Sequence, residues 1–180
     1  MRRLIFVLLL MSALCGCVGV GAGMGTNMGT NIGASSQRLI VGVSQQADVL
    51  ASFGQPVRRW PDADGGQTLE YSSQPFGQSC WMATIAADGR LLRLEDTLLP
   101  ASRFSITPGM TPEQVSRLLG QERSRVFYRF SGEDVWDWNV APDLLGDTRL
   151  RFNVHFKDSV VLRTSQSMVF PERRVFPFAD

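Results

Sequence analysis

A short folding instruction is written twice along this chain. In Thr111-Pro112-Glu113-Gln114-Val115-Ser116-Arg117-Leu118-Leu119-Gly120-Gln121, Thr111 reads as an N-cap, Pro112 suits the first helical position, and Gln114 completes a capping box. Val115, Leu118 and Leu119 fall on one helical face at steps of three and four, and Gly120 supplies a left-handed stop. The earlier copy opens at Val41-Gly42-Val43-Ser44, with Ser44 as the cap, and runs through Val49, Leu50 and Phe53 to Gly54-Gln55-Pro56. It has the same cap type and the same Gly-Gln exit, with one extra residue in the helix. Two such openings roughly 66 residues apart mark two copies of one structural unit.

The segments behind the two openings correspond as well. Thr68-Leu69-Glu70-Tyr71 matches Val135-Trp136-Asp137-Trp138, and Cys80 to Ile85 matches Leu150 to Phe156. The latter alternates, with Leu150, Phe152, Val154 and Phe156 inward and Arg151, Asn153 and His155 outward. Asp88-Gly89-Arg90 turns the chain into Leu91–Leu94, and Lys157-Asp158-Ser159 turns it into Val160–Leu162. The predicted fold class is α+β. Each of two tandem units, 38–100 and 101–168, is a short helical segment followed by an antiparallel three- to four-stranded meander, one face covered by the helix.

The ends read differently from this body. Arg2 and Arg3, the apolar run Leu4–Leu14 and the exit Leu14-Cys15-Gly16-Cys17 have the three zones of a secretory signal, residues 1–16. The run is shorter than the roughly 20 apolar residues of a membrane-spanning helix. Leu14-x-Gly16-Cys17 fits a lipoprotein cleavage site with the Cys17 thiol as lipid acceptor; Cys15 would put bulky Leu14 at the cleavage position. Residues 17–37 form a tether of Gly, Ser, Thr and Asn containing the repeat Met24-Gly25-Thr26-Asn27, Met28-Gly29-Thr30-Asn31, too poor in apolar surface to fold alone. The tail 169–180 is broken by Pro171 and Pro177.

Charge and cysteine content exclude several functions. The chain carries 18 Lys+Arg and 17 Asp+Glu, a formal charge of +1 that losing Arg2 and Arg3 would turn to −1. No basic run interleaves with aromatics, so nucleic acid is not an expected partner. With Cys15 removed and Cys17 acylated, Cys80 has no intramolecular partner and is expected to be buried as a small hydrophobe. One histidine, His155, and one spare cysteine do not make a metal site. A Cys80–His155 dyad lacks an orienting third group. Asp62-x-Asp64-Gly65-Gly66 lacks the spacing and closing Glu of a calcium loop and reads as a turn. Glu133-Asp134 and Asp143 read as solvated loop charges. No catalytic residue, metal or cofactor is expected beyond covalent lipid on Cys17, and the protein is expected not to be an enzyme.

The aromatics leave a choice open. Trp60, Trp81, Trp136 and Trp138, with Phe127 and Tyr128, either fill two thin cores or line a sheet face that grips a partner, where Trp, Tyr and Arg concentrate. Trp136 and Trp138 share one face of their strand, with Asp137 and Asn139 opposite. Candidate binding residues are therefore Arg151, Asn153, Trp136 and Trp138.

Gly109-Met110-Thr111, Gln114-Val115 and Leu118-Leu119-Gly120, followed by the Trp136/Trp138 and Phe152-Asn153-Val154-His155-Phe156 strands, resemble the SmpA/OmlA family of BamE-type lipoproteins. The chain departs from that pattern in having two units and no Tyr-x-Gly-Asn segment before the helix. The resemblance implies outer-membrane attachment facing the periplasm, consistent with Val18 after the lipidated cysteine. It also implies a scaffolding role with an envelope protein partner such as the β-barrel assembly machinery. Tandem helix-plus-sheet units also resemble secreted β-lactamase inhibitory proteins, which implies, as the alternative, an inhibitor or ligand-binding module.

Overall fold

The computed structural model describes residues 38–142 and 149–169. The expected signal 1–16, Cys17 and the tether 17–37, Asp143, and the tail from residue 170 lie outside the described residues.

Each copy of the repeated instruction builds a helix of eight residues, α1 (Gln46–Phe53) and α3 (Pro112–Leu119), with the short α2 (Pro100–Arg103) between them. At α3 the Thr111 hydroxyl accepts the Gln114 N–H at 3.3 Å, and the Gln114 side chain accepts the Thr111 N–H at 2.8 Å. At α1 the cap is Gln45 rather than Ser44. The Asp48 carboxylate accepts the Gln45 N–H at 2.8 Å, while the Ser44 hydroxyl turns back to accept the Ile40 N–H at 3.0 Å. A serine can cap a turn on either side of itself, and here the upstream turn wins. The shift removes the extra residue: the helices start at 46 and 112 and end at 53 and 119, a constant offset of 66. Gly54 and Gly120 end them with φ of 79° and 75°, a region that L side chains rarely enter.

Two antiparallel sheets follow. Strands β1 (Arg58–Pro61), β2 (Gln67–Ser72), β3 (Cys80–Ile85) and β4 (Leu91–Asp96) pair in chain order. So do β5 (Ser124–Tyr128), β6 (Glu133–Val140), β7 (Arg149–Lys157) and β8 (Val160–Val169). The chain is α+β in two units, as expected, and each meander has four strands. The Asp62–Gly66 segment is the hairpin turn between β1 and β2, where Asp64 accepts the Gly66 N–H at 3.0 Å. Helix α2 runs across residues 100 and 101, and β8 continues past Leu162 to Val169.

Matching residues do matching work. Leu69 and Tyr71 pack with α1 in one cluster, as Trp136 and Trp138 pack with α3 in the other. The Tyr71 hydroxyl donates to the Gly54 carbonyl, and the Trp138 indole N–H donates to the Gly120 carbonyl, each at 3.2 Å. A large aromatic with a polar tip thus satisfies the last free carbonyl of each helix.

The layering goes beyond two independent units. Val115 and Leu119 of α3 pack with Trp136, Trp138, Phe152, Val154 and Phe156 of the second sheet, and also with Cys80 and Met82 of the first. The order is α1, first sheet, α3, second sheet. The expectation that each sheet is covered on one face holds for the second sheet; the first is covered on both. A helix clasped from two sides buries a different stripe from one lying on a single sheet. Ser116 is therefore buried, whereas Leu118, expected in the core, is 36% exposed.

Hydrogen bonds join the units. The Gln74 amide donates to the Asn139 carbonyl at 2.8 Å and accepts its N–H at 3.2 Å. The Thr97 hydroxyl lies 3.0 Å from the Cys80 carbonyl and 3.3 Å from that of Leu119. Arg117 reaches back from α3 to lie 5.0 Å over the Trp60 ring.

Candidate functional site

The second sheet presents one face to α3, and among the described residues nothing covers the other. Antiparallel register places side chains directly across from one another on the same face. On the open face the rows are Ser124, Asp137, Asn153 and Ser165; Val126, Val135, His155 and Arg163; and Tyr128 with Glu133. Asn139, Arg151 and Ser167 form a further row. They line much of a groove of about 420 Å³.

Two polar clusters build its floor. Asp137, only 7% exposed, is held by both Nε and Nη2 of Arg123 and by the Ser124 hydroxyl, with the Nη2 contact at 2.8 Å. Burying a carboxylate this deeply is tolerable only with a paired cation and further donors. The second cluster centres on the one histidine. His155 Nδ1 lies 2.6 Å from Glu133 Oε2, and its Nε2 lies 2.8 Å from the Ser165 hydroxyl and 3.3 Å from Arg163 Nη1. Arg163 Nη2 donates to the same Glu133 oxygen at 2.9 Å. Because a guanidinium only donates, Nε2 is the acceptor in this arrangement and Nδ1 carries the proton given to Glu133. The His155 hydrogen bond, reinforced by the Arg163 charge, holds the Glu133 carboxyl below its usual pKa.

Arg151 stands apart from both clusters. Its Nε is buried and has no hydrogen-bond partner among the described residues. Asn153 beside it donates to the hydroxyls of Ser165 at 3.3 Å and Ser167 at 3.2 Å. Among the described residues the open face thus holds Arg123 balanced by Asp137, Arg163 balanced by Glu133, and Arg151 as a surplus cation in the groove, with exposed Arg149 two residues before it on the same face.

The sequence candidates therefore separate. Arg151 and Asn153 lie together on the open face. Trp136 and Trp138 are 5% and 0% exposed beneath α3, so they are core residues and leave the set of candidate contacts. Glu133 and Asp134 are strand residues, not loop charges: Glu133 belongs to the histidine cluster, and Asp134 accepts the Trp136 indole N–H at 3.0 Å. Cys80 is fully buried against α3 and its thiol is pushed well above the usual range, first by burial and then by the Glu70 charge. It lies on the α3 side of the first sheet, whereas His155 is on the far side of the second, so no dyad forms between them. Among the remaining aromatics, Trp81 packs near Phe53; Tyr128 is exposed on β5 and lines the groove, and Phe127 is exposed on the opposite face of that strand.

Sequence reading missed Glu133, Arg163, Ser165, Arg123 and Asp137 as members of one site. The usable signal was alternation carried across strands: once His155 is outward, its neighbours two residues away and directly across must share its face.

Chemically, the face offers mainly polar and charged groups. Ser165, His155 and Glu133 stand in the order of a hydrolytic relay, but Arg163 competes with the Ser165 hydroxyl for the same Nε2 lone pair. Among the described residues no three of His, Cys, Asp and Glu are grouped so as to hold a metal ion, and no helix is long and apolar enough to cross a membrane.

No protein-family model matches the chain, and no curated protein matches it. Among solved structures it is similar to a Streptococcus mutans protein described as a putative beta-lactamase inhibitor protein. The identity is 9% and the TM-score 0.32, over 76% of this chain and 95% of that one. It is also similar to a DUF4309 family protein (YjgB) of Bacillus subtilis, at 17% identity and a TM-score of 0.29, over 75% of this chain and 85% of that one.

Proposed function

We propose that the chain is a non-catalytic binding module of the bacterial cell envelope. In this reading lipid on Cys17 ties it to the outer membrane on the periplasmic side, the Gly-rich tether gives it reach, and the open face of the second sheet grips a protein partner. One observation carries the reading: the layers stop one short. The first sheet has a helix on each face; among the described residues the corresponding face of the second sheet is uncovered and carries a groove with an unbalanced arginine. Interfaces concentrate binding energy in a few partly desolvated anchors, and Arg is prominent among them.

The SmpA/OmlA resemblance of residues 109–120 favours a partner in β-barrel assembly. An inhibitor role like that of β-lactamase inhibitory proteins would use the same face against a soluble hydrolase. Co-purification from detergent-solubilised membranes separates the two by what is recovered, assembly components or a hydrolase. Acyl labelling tests the anchor, which should be lost in Cys17→Ser and retained in Cys15→Ser.

A further inference from the structure

We infer that the partner docks as an extended acidic segment that pairs with the free edge of β8 and turns its carboxylates toward Arg163 and Arg151. This rests on the open face being the binding surface and names what that surface takes.

The first observation is the edge itself. Strand β8 is the longest among the described residues, ten residues, and closes one side of its sheet. Protein edges are usually blunted by Pro, Lys or short length, because their unpaired backbone groups recruit other strands. The other sheet edges show such devices: β1 has four residues and ends at Pro61, β5 has five, and β4 carries Arg93, Glu95 and Asp96. Strand β8, VVLRTSQSMV, has no Pro or Lys and one charge, Arg163. Only its start is covered: Val161 exchanges backbone hydrogen bonds with Gly109 and Met110 at 2.9 and 2.8 Å. From Leu162 to Val169 the edge has no backbone partner on that side among the described residues.

The second observation is charge. The groove reaches this edge through Arg163, Ser165 and Ser167. The small serines leave room above the sheet, Arg163 is half exposed, and Arg151 brings a surplus cation. A strand added at an edge alternates its side chains between the two faces, so every second residue of the partner would lie over this groove. Glu or Asp at those positions complements it. A second copy of the chain fits less well, because pairing β8 with β8 would set the surplus arginines of both copies on one face.

The test uses the full chain purified in detergent and a fluorescent decapeptide alternating Glu with Thr and Val. Three relatives of the peptide serve as controls: Lys in place of Glu, and two forms N-methylated on odd or on even residues. Edge pairing uses only alternate peptide N–H groups. One methylation pattern should therefore weaken binding at least about 10-fold and the other leave it nearly intact. The Lys peptide, and the Glu peptide on Arg151→Ala protein, should each bind at least about 10-fold more weakly, and peptide should slow amide exchange in 162–169. Equal binding by both methylated forms, unchanged exchange, or no binding up to about 1 mM would overturn the inference. So would concentration-dependent self-association that itself protects 162–169. If Arg151→Ala loses the envelope partner while partner binding leaves β8 exchange unchanged, edge pairing fails and the open-face reading stands. Full partner recovery by Arg151→Ala defeats that reading instead.

Discussion

The Glu70 carboxylate, fully buried on the first sheet, accepts the backbone N–H of Gln121 at 2.6 Å, immediately after the glycine that stops α3. Its other oxygen accepts the Trp60 indole N–H at 2.9 Å. A side chain of one unit thus closes the helix of the other. Gly120 makes room for it, since a Cβ there would lie 2.3 Å from the Cys80 sulfur and 3.1 Å from Glu70 Oε1. The units should therefore unfold together. In urea, Glu70→Ala should lower stability by about 2–3 kcal/mol through two stranded donors. Gly120→Ala, facing both the clash and a positive φ, should lose at least about 3 kcal/mol. Both should keep one transition; two separated transitions would contradict the shared core.

Leu119 tests that core from the other side. It is fully buried and shares a cluster with Cys80 of the first sheet and Phe152 of the second. Leu119→Ala should cost about 2–5 kcal/mol, whereas Leu118→Ala, at the partly exposed margin, should cost under about 1.5 kcal/mol. Equilibrium unfolding of the two variants checks the contrast.

Where local chemistry decided structure, the sequence was legible. The Thr111–Gln114 capping box, the Gly54 and Gly120 stops and the alternation of β7 follow from residue types and spacing. The open face was legible too, because Arg151, Asn153 and His155 alternate with Leu150, Phe152, Val154 and Phe156. Strands β1 and β5 were not, since Arg58–Pro61 and Ser124–Tyr128 are short edge strands with no buried stripe to give a period. Placing Trp136 and Trp138 needed the layer order. A hint lay in β3, where Cys80 and Met82 are apolar on one face and Trp81, Ala83 and Ile85 on the other, as in a strand covered twice. The His155 cluster depended on register between β6, β7 and β8, which no single segment encodes.

Cys80 should behave as a packing residue. With its thiol buried against Gly120 and its ionisation opposed by burial and by Glu70, little thiolate forms at neutral pH. Maleimide should label it slowly in the native protein and fast in denaturant. Rapid native labelling would mean that the contact between the first sheet and α3 opens.

Acid should weaken the second sheet through Glu133. Its folded-state pKa is lowered, first by the His155 hydrogen bond and then by Arg163, so the unfolded chain takes up the proton at higher pH. The stabilisation is present above the ordinary glutamate range and lost as pH falls through the lowered value. Wild type should melt higher than Glu133→Gln near neutrality, and the gap should close below about pH 4. A gap independent of pH would remove the ionised Glu133 from the account.

The open face of the second sheet is proposed to bind a partner, with Arg151 held there for it. Arg151→Ala should be measured for thermal melting and for co-purification from solubilised membranes on the same preparation. Arg151 has no hydrogen-bond partner among the described residues, so stability should change by under about 0.5 kcal/mol, while partner recovery should fall severalfold. Asn153→Ala, which loses two hydroxyl contacts, should show the same loss of recovery with about 0.5–1.5 kcal/mol of destabilisation. Full partner recovery by an Arg151→Ala protein that melts like wild type would contradict the claim.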